Sequence, residues 1–125
     1  MPSSFPPIIE QLQNAMNGQS VDAMLDCFDP DYHSEQPVHP EREFHGKTHL
    51  RENWEPVFSE ADDFQAEIIR SITDDDTVWT EWHWHGTQED ETTLEMRGVT
   101  ILGIENDRIA WGRLYMEPVE KSPET

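Results

Sequence analysis

The sequence predicts an α+β fold in which three N-terminal helices cover one face of a curved, cone-shaped antiparallel sheet that runs as a meander. Apolar residues recur at helical spacing in the first half of the chain, and strand-like segments separated by turn residues follow. In the segment TVWTEWHWHG, at positions 77–86, Val78, Thr80, Trp82 and Trp84 share one face of a strand. Such a sheet encloses a hollow beside its helices, and small molecules bind in hollows of this kind.

The three helices are predicted from apolar stripes and from residues that begin or end a helix. Asn17-Gly18 ends the first helix, Ser20 caps the second, Asp29-Pro30 ends the second, and Gly46 precedes the third. The stripes comprise Phe5, Ile8, Ile9, Leu12 and Met16, then Val21, Met24, Leu25 and Phe28, and finally Leu50, Asn53, Trp54, Val57 and Phe58. The single cysteine, Cys27, lies on the second stripe and is expected to be a buried core residue.

One short strand and a four-stranded meander complete the predicted fold. The short strand, at 32–36, places Tyr32, Ser34 and Gln36 on one face, and a loop follows at 37–43. The meander strands are predicted at 64–73, 77–87, 92–104 and 108–118, with acidic turns between them.

Length and composition bound the number of domains and the location of the protein. The 125 residues predict a single domain over 1–125, with an ordered core of about 5–118 and a frayed polar end at 120–125. No apolar run of about 18 residues is present, which predicts no membrane span. No signal peptide is visible at the start, so a cytoplasmic protein is expected.

The chain is strongly acidic, with 27 acidic and 8 basic side chains and a formal net charge of −19. This charge repels phosphate backbones and anionic lipids. We therefore expect the protein to bind neither nucleic acid nor a membrane surface. The acidic surface serves either solubility in general or adaptation to high salt, and the composition leaves both open.

The strand alternation predicts a pocket that is mostly apolar and aromatic, with a few hydroxyls and amides and no carboxylate. The predicted lining is Tyr32, Ser34, Gln36, Asn53, Trp54, Thr80, Trp82, Trp84, Thr100, Leu102, Gly112, Leu114 and Met116. Indole rings with neighbouring hydrogen-bonding groups suit a flat, small hydrophobic or aromatic molecule. The alternative is that these side chains fill the hollow as an ordinary core.

Six histidines raise the question of a metal site. His83 and His85 lie two apart on one strand face, a spacing that can chelate, and His33 with Glu35 offers a similar pair. No cysteine cluster and no His-Glu-x-x-His helix accompanies them, so neither a metal nor a cofactor is predicted.

The outer face of the sheet is predicted to join two copies of the chain. Trp79, Glu81, His83, Trp111 and Tyr115 share this face. Exposed indoles on an acidic surface are hard to explain in a monomer, which predicts a homodimer.

Several short motifs follow one another in a recognisable order. They are MNG at 16–18, CFDPDY at 27–32, FHGK at 44–47, EWHWHGT at 81–87, RGV at 97–99, NDRI at 106–109 and RLY at 113–115. With these motifs, residues 8–118 resemble the nuclear transport factor 2-like superfamily, and within it the SnoaL-like (polyketide cyclase-like) branch. The resemblance implies the same cone-shaped fold but does not by itself imply an activity.

The resemblance also implies where catalytic groups would lie. Ketosteroid isomerase-like relatives carry a general-base Asp, an oxyanion-binding Tyr and a protonated Asp at positions that correspond here to Gln36, Leu12 and about Thr100. Polyketide cyclase-like and epoxide hydrolase-like relatives carry an acid in the last strand, where this chain has Leu114. An amide is not a base near neutral pH and a leucine cannot stabilise an oxyanion, so these chemistries are predicted to be absent.

The leading functional prediction is therefore a small-molecule-binding SnoaL-like domain with an apolar, aromatic-lined pocket. The first alternative is an isomerase, lyase or hydrolase-like enzyme of the same fold, with Tyr32, Gln36 or Asn53 acting on a hydrophobic substrate through an ordered water. The second is a dimerisation module with a filled core. The sequence leaves the ligand, and whether the protein is an enzyme, open.

Overall fold

The structure is a computed structural model that describes residues 6–120. Phe5 and the frayed end predicted beyond position 120 lie outside the described residues. The elements are α1 (Pro7–Asn17), α2 (Val21–Leu25), β1 (Phe28–Glu35), a 3-10 turn (Pro40–Arg42), β2 (Phe44–His45), α3 (Lys47–Glu60), β3 (Gln65–Asp74), β4 (Thr77–Thr87), β5 (Thr93–Glu105) and β6 (Arg108–Pro118).

The end of α1 and the beginnings of α2 and α3 lie at the predicted signals. Pro7 occupies the first turn of α1, where a missing N–H costs nothing, and Gly18 follows its last residue. Ser20 caps α2 by accepting a hydrogen bond from the Ala23 amide at 3.1 Å. Gly46 precedes α3 with φ of +90°, a backbone conformation that favours glycine.

The predicted end of the second helix is wrong, because α2 ends at Leu25 and Phe28 begins β1. Phe28 pairs with Ile109 and packs edge-on against the Tyr32 ring, with 4.6 Å between ring centroids. Pro30 is tolerated inside the strand because the β1–β6 register shifts between Phe28 and His33, where no ladder bond needs its amide. Cys27 is buried, as expected, but in the turn before β1.

A six-stranded sheet in the order β2-β1-β6-β5-β4-β3 carries the fold. All neighbouring pairs are antiparallel except β1 and β6, which run parallel. The β1–β6 pair and the two-residue strand β2 are additions to the predicted meander. Register shifts in β3 and in the β5–β6 pair mark irregularities of the kind that bend a sheet. The predicted curved α+β fold is confirmed.

The core lies between the helices and the concave face of this sheet, which we call the inner face. The inner residues of β4 are buried along its whole length: Val78, Thr80, Trp82 and Trp84 are each at most 7% exposed. The buried side of α1 packs over β3. Among the described residues, no helix is long and apolar enough to cross a membrane.

Candidate functional site

A cavity of about 420 Å³ opens between the three helices and the inner face. All but two of the predicted lining residues surround it: Tyr32, Ser34, Gln36, Asn53, Trp54, Trp82, Trp84, Thr100, Leu102, Leu114 and Met116. The volume falls within the range of about 300–1,000 Å³ that small-molecule sites occupy.

Thr80 and Gly112 are the two exceptions, and for these the predicted lining is wrong. Thr80 points inward but is fully buried, and its hydroxyl lies 3.1 Å from that of Ser71, so it is bonded within the sheet layer. Gly112 lies under Tyr32, since a Cβ there would come within 2.7 Å of the Tyr32 hydroxyl oxygen. Glycine at this position therefore leaves room for the tyrosine to reach over β6.

Three tryptophans form the aromatic wall of the cavity. The rings of Trp54 and Trp84 meet edge to face at 5.1 Å, and Trp82 and Trp84 lie 6.1 Å apart along β4. The indole of Trp82 donates its N–H to the Thr100 hydroxyl at 2.9 Å. The indole nitrogen of Trp84 is buried and has no hydrogen-bond partner within the described residues. A buried indole N–H normally has a partner, so this donor is the unusual polar feature of the wall.

Tyr32 supplies a second hydrogen-bonding group to the cavity. It is buried, and its ring packs between Phe28 and Phe44 at 4.6 and 6.1 Å. Burial raises the pKa of the Tyr32 phenol to about 12, although a hydrogen bond from Ser34 opposes the shift. The phenol therefore stays protonated at neutral pH and acts as a hydrogen-bond donor.

Arg42, Gln36, His49 and Asn53 add the more polar part of the lining. Arg42, in the 3-10 turn, donates to the Gln36 side-chain oxygen at 3.2 Å. The His49 ring stacks on Phe44 at 4.5 Å, with 17° between the ring planes. Asn53 is exposed overall although it borders the cavity, so α3 presents it to solvent as well as to the hollow.

Sequence reasoning missed a large part of the lining. The missed residues are Leu12, Met16, Met24, Phe28, Arg42, Phe44, His49, Leu50, Val57, Phe64, Leu94 and Met96. Half of them lie on helical stripes that were assigned to the core, and the same stripe can face either packed side chains or a hollow. No pattern in the sequence predicts that Arg42 lines the cavity, because its position depends on how the loop between β1 and β2 folds.

No Asp or Glu is among the residues that line the cavity. The positions at which the resemblance implied catalytic groups all border it, occupied by Leu12, Gln36, Thr100 and Leu114. The cavity thus presents apolar surface with hydroxyl, amide, imidazole and guanidinium groups, and none of the described residues that line it has a carboxylate that could act as a general base.

The convex face of the sheet, which we call the outer face, carries two different surfaces. An apolar patch includes Ile72 and Trp79, which are 65% and 48% exposed, together with the half-buried Ile101 and Trp111. The Trp111 ring lies directly over Gly103, where any Cβ would come within 2.0 Å of it.

Elsewhere on the outer face, histidines and glutamates form two groups whose side chains could hold a metal ion. One consists of Glu67, His83 and His85. The other consists of His33, Glu35 and Glu43.

Comparison with known proteins identifies the family and supports the fold. A family model described as SnoaL-like domain matches residues 9–111. The chain matches no curated protein by sequence.

Several solved structures share the fold. A hypothetical protein with a ketosteroid isomerase-like fold from Catenulispora acidiphila, in complex with trimethylamine, has a TM-score of 0.73 at 16% identity over 86% of this chain and 83% of that one. A proposed polyketide cyclase from Sinorhizobium meliloti has a TM-score of 0.69 at 19% identity over 90% and 95%. An LEH-like epoxide hydrolase from M. tuberculosis has a TM-score of 0.73 at 16% identity over 88% and 80%. At these identities the similarity establishes the fold alone.

Proposed function

The chain belongs to the SnoaL-like domain family, and we propose that its cavity binds a flat, mostly apolar organic molecule that carries a hydrogen-bond-accepting oxygen. The Trp84 side chain lines the cavity, and its indole N–H has no hydrogen-bond partner among the described residues; this is the observation that carries the proposal. A buried donor without a partner costs about 1–3 kcal/mol, and a small movement of the indole would let an acceptor on a bound molecule recover part of that cost.

The other polar groups of the cavity favour the same kind of ligand. The Thr100 oxygen already accepts from Trp82, which leaves its hydrogen to donate, and the neutral Tyr32 phenol can also donate. Because the lining holds no carboxylate, a buried ammonium group would have no opposite charge. A ketone, ester or similar carbonyl compound therefore suits this lining better than an amine.

Tryptophan fluorescence titration tests the proposal with two probes of matched size, an acetyl-substituted naphthalene and the matching ethyl-substituted naphthalene, and with trimethylamine as a small cation. We expect the ketone to bind more tightly than the hydrocarbon. Trp84→Phe keeps an aromatic ring but removes the N–H, and should weaken ketone binding about fivefold, the equivalent of one neutral hydrogen bond. Binding of the hydrocarbon should change little.

Trp111→Phe on the outer face is the matched control and should leave all affinities unchanged. Equal affinity for the ketone and the hydrocarbon would contradict the role of Trp84. Failure of both naphthalenes to bind would contradict the proposal as a whole and favour a non-binding dimerisation module. Preferential binding of trimethylamine would indicate instead that the three indoles hold a cation by their faces.

An enzyme of the same fold is the second candidate, supported by the polar side chains of Tyr32, Gln36 and Asn53 at the cavity. With a pKa of about 12, Tyr32 can orient and polarise a carbonyl but cannot serve as a base at neutral pH. If the protein turns over a carbonyl compound, Tyr32→Phe should lower kcat with little change in KM. Unchanged turnover in this variant would remove Tyr32 from the mechanism.

We also propose that two copies of the chain pair through the apolar patch of the outer face. The charged residues beside the patch are already paired, Arg70 with Glu81 at 3.3 Å and Arg113 with Glu35 at 3.8 Å. Neighbouring carboxylates are thus partly neutralised where a second acidic copy would approach. Light scattering should give a dimer mass that falls to the monomer mass in Trp79→Glu, and a monomeric wild-type protein would contradict the pairing.

The single-domain organisation and the cytoplasmic location stay predictions from the sequence.

A further inference from the structure

The outer face places two histidines of β4 between glutamates of the two neighbouring strands. Glu67 of β3 pairs directly with His83 in the strand register, and Glu95 of β5 pairs with His85. The two side chains of each strand pair project from the same face, so the four groups meet above the sheet. We call these four residues the His83 cluster.

The distances within the cluster match those between ligands of a single small cation. His83 Nδ1 lies 3.7 Å from Glu67 Oε2, and His85 Nε2 lies 3.1 Å from Glu67 Oε1. Tetrahedral zinc with bonds of about 2.1 Å separates its ligand atoms by about 3.4 Å. With one ligand atom taken from each of Glu67, His83 and His85, the three atoms lie within 4.8 Å of one another, so a small side-chain adjustment brings them to this spacing.

The fourth residue, Glu95, orients His83 for this role. His83 Nε2 lies 2.8 Å from Glu95 Oε2, and because a carboxylate only accepts, the hydrogen of the neutral ring is on Nε2. The lone pair is then on Nδ1, which faces Glu67. A carboxylate that holds the far nitrogen of a histidine is the usual support of a metal-binding imidazole. His83 and Glu95 are also the less exposed members of the cluster, at 15% and 23%.

From this geometry we propose that Glu67, His83 and His85 bind one divalent transition-metal ion of the zinc class, with Glu95 as the positioning residue for His83. Imidazole and carboxylate ligands suit Zn²⁺, Co²⁺, Ni²⁺ and Cu²⁺, and three protein ligands leave one position for water. Coordination by His85 through Nε2 moves its ring proton to Nδ1, so the ring stays neutral. The ion would join β3 to β4, and the net charge of −19 favours its approach.

The second group on this face, His33, Glu35 and Glu43, contains one imidazole, whereas the first group contains two. The Nε2 of His33 is already bonded to Glu43, and its ring stacks on His45 at 4.1 Å. Glu35 also faces Arg113 at 3.8 Å, a cation that opposes a metal ion.

Calorimetric titration of the full chain with zinc chloride, and visible absorption with cobalt chloride, test the site. We expect one ion per chain, a tetrahedral Co²⁺ spectrum, and a higher thermal unfolding midpoint with Zn²⁺. His83→Gln and His85→Gln should each weaken binding by tenfold or more and abolish the midpoint shift. Glu95→Gln should weaken binding by about tenfold while the Co²⁺ spectrum keeps its form, because Glu95 does not touch the ion.

His33→Gln is the matched control, since it removes a histidine that is paired with a glutamate on the same face. This variant should bind Zn²⁺ with the affinity of the wild type. Calcium chloride controls for general attraction to the acidic surface, because Ca²⁺ prefers oxygen ligands and should not compete. Unchanged Zn²⁺ affinity in His85→Gln, or displacement of Zn²⁺ by equimolar Ca²⁺, would overturn the proposal. Circular dichroism of each variant establishes that a lost site does not reflect a lost fold.

Discussion

The inner and outer faces of the sheet are built from alternate residues of the same strands, yet they follow opposite chemical rules. On the inner face of β4, Trp82 and Trp84 border a cavity without a carboxylate. On its outer face, His83 and His85 each lie against a glutamate. Charged groups are stable only where water or an opposite charge compensates them, and the helices that cover the inner face keep most of it from water. The comparison shows that one strand can carry both the aromatic wall of a cavity and a set of titratable groups.

Replacing an indole on each face should give the largest contrast. Trp82 is 1% exposed, and Trp82→Ala removes its packing and its bond to Thr100, which should lower the free energy of unfolding by about 3–5 kcal/mol. Trp79 is 48% exposed, and Trp79→Ala should cost less than about 1 kcal/mol in dilute solution. Urea denaturation followed by circular dichroism measures both. An equal loss of unfolding free energy in the two variants would mean that Trp79 on the outer face is as well buried as Trp82 on the inner face.

High pH should destabilise the protein through the inner face. The pKa of Tyr32 rises from its ordinary 10.0 to about 12 on folding, so the unfolded chain ionises first as the pH rises. The stabilising contribution is complete below pH 10.0 and lost by about pH 12, and a shift of this size corresponds to about 2–3 kcal/mol. In Tyr32→Phe, the fall in stability across this range should shrink accordingly.

Tyr115→Phe removes a tyrosine hydroxyl from the outer face instead of the inner face and is the control for that measurement. Cys27 contributes a loss of the same sign, because burial raises its pKa from 9.0 to about 11, and Cys27→Ala separates its share. If the wild type and Tyr32→Phe lose the same stability at high pH, the ionisation of Tyr32 is not the cause of that loss.

Low pH should destabilise the protein through the outer face. This effect should be smaller than those of the indole replacements and of high pH. The hydrogen bond from His85 holds the pKa of Glu67 below its usual 4.5, so this interaction stabilises the fold above pH 4.5 and is lost as the pH falls through the lowered value. Glu67→Gln should flatten the pH dependence of the thermal midpoint in that acid range. An unchanged acid slope would show that the pair adds nothing measurable, as is common for exposed ion pairs.

Much of the fold was predictable because periodicity reports local structure directly. The alternation of β4 identified its buried face, and the turn residues located the four long strands to within about two residues. The end of the second helix was missed at Phe28, because an apolar residue at helical spacing can equally begin a strand. The family was recognised from the order of its motifs, and the family model over 9–111 confirms it.

The amino-acid sequence alone determined which side chains of β4 would face inward, since this depends only on residue identity and a period of two. The resemblance to the family added that this chain has no acid at the positions where relatives carry catalytic groups. Tertiary structure decided the rest. It showed that the Trp84 N–H has no partner within residues 6–120, placed Arg42 at the cavity, and brought Glu67 and Glu95 to the two β4 histidines. These features join residues from separate strands and loops, and no local pattern in the chain records which strands lie side by side or how far the sheet curves.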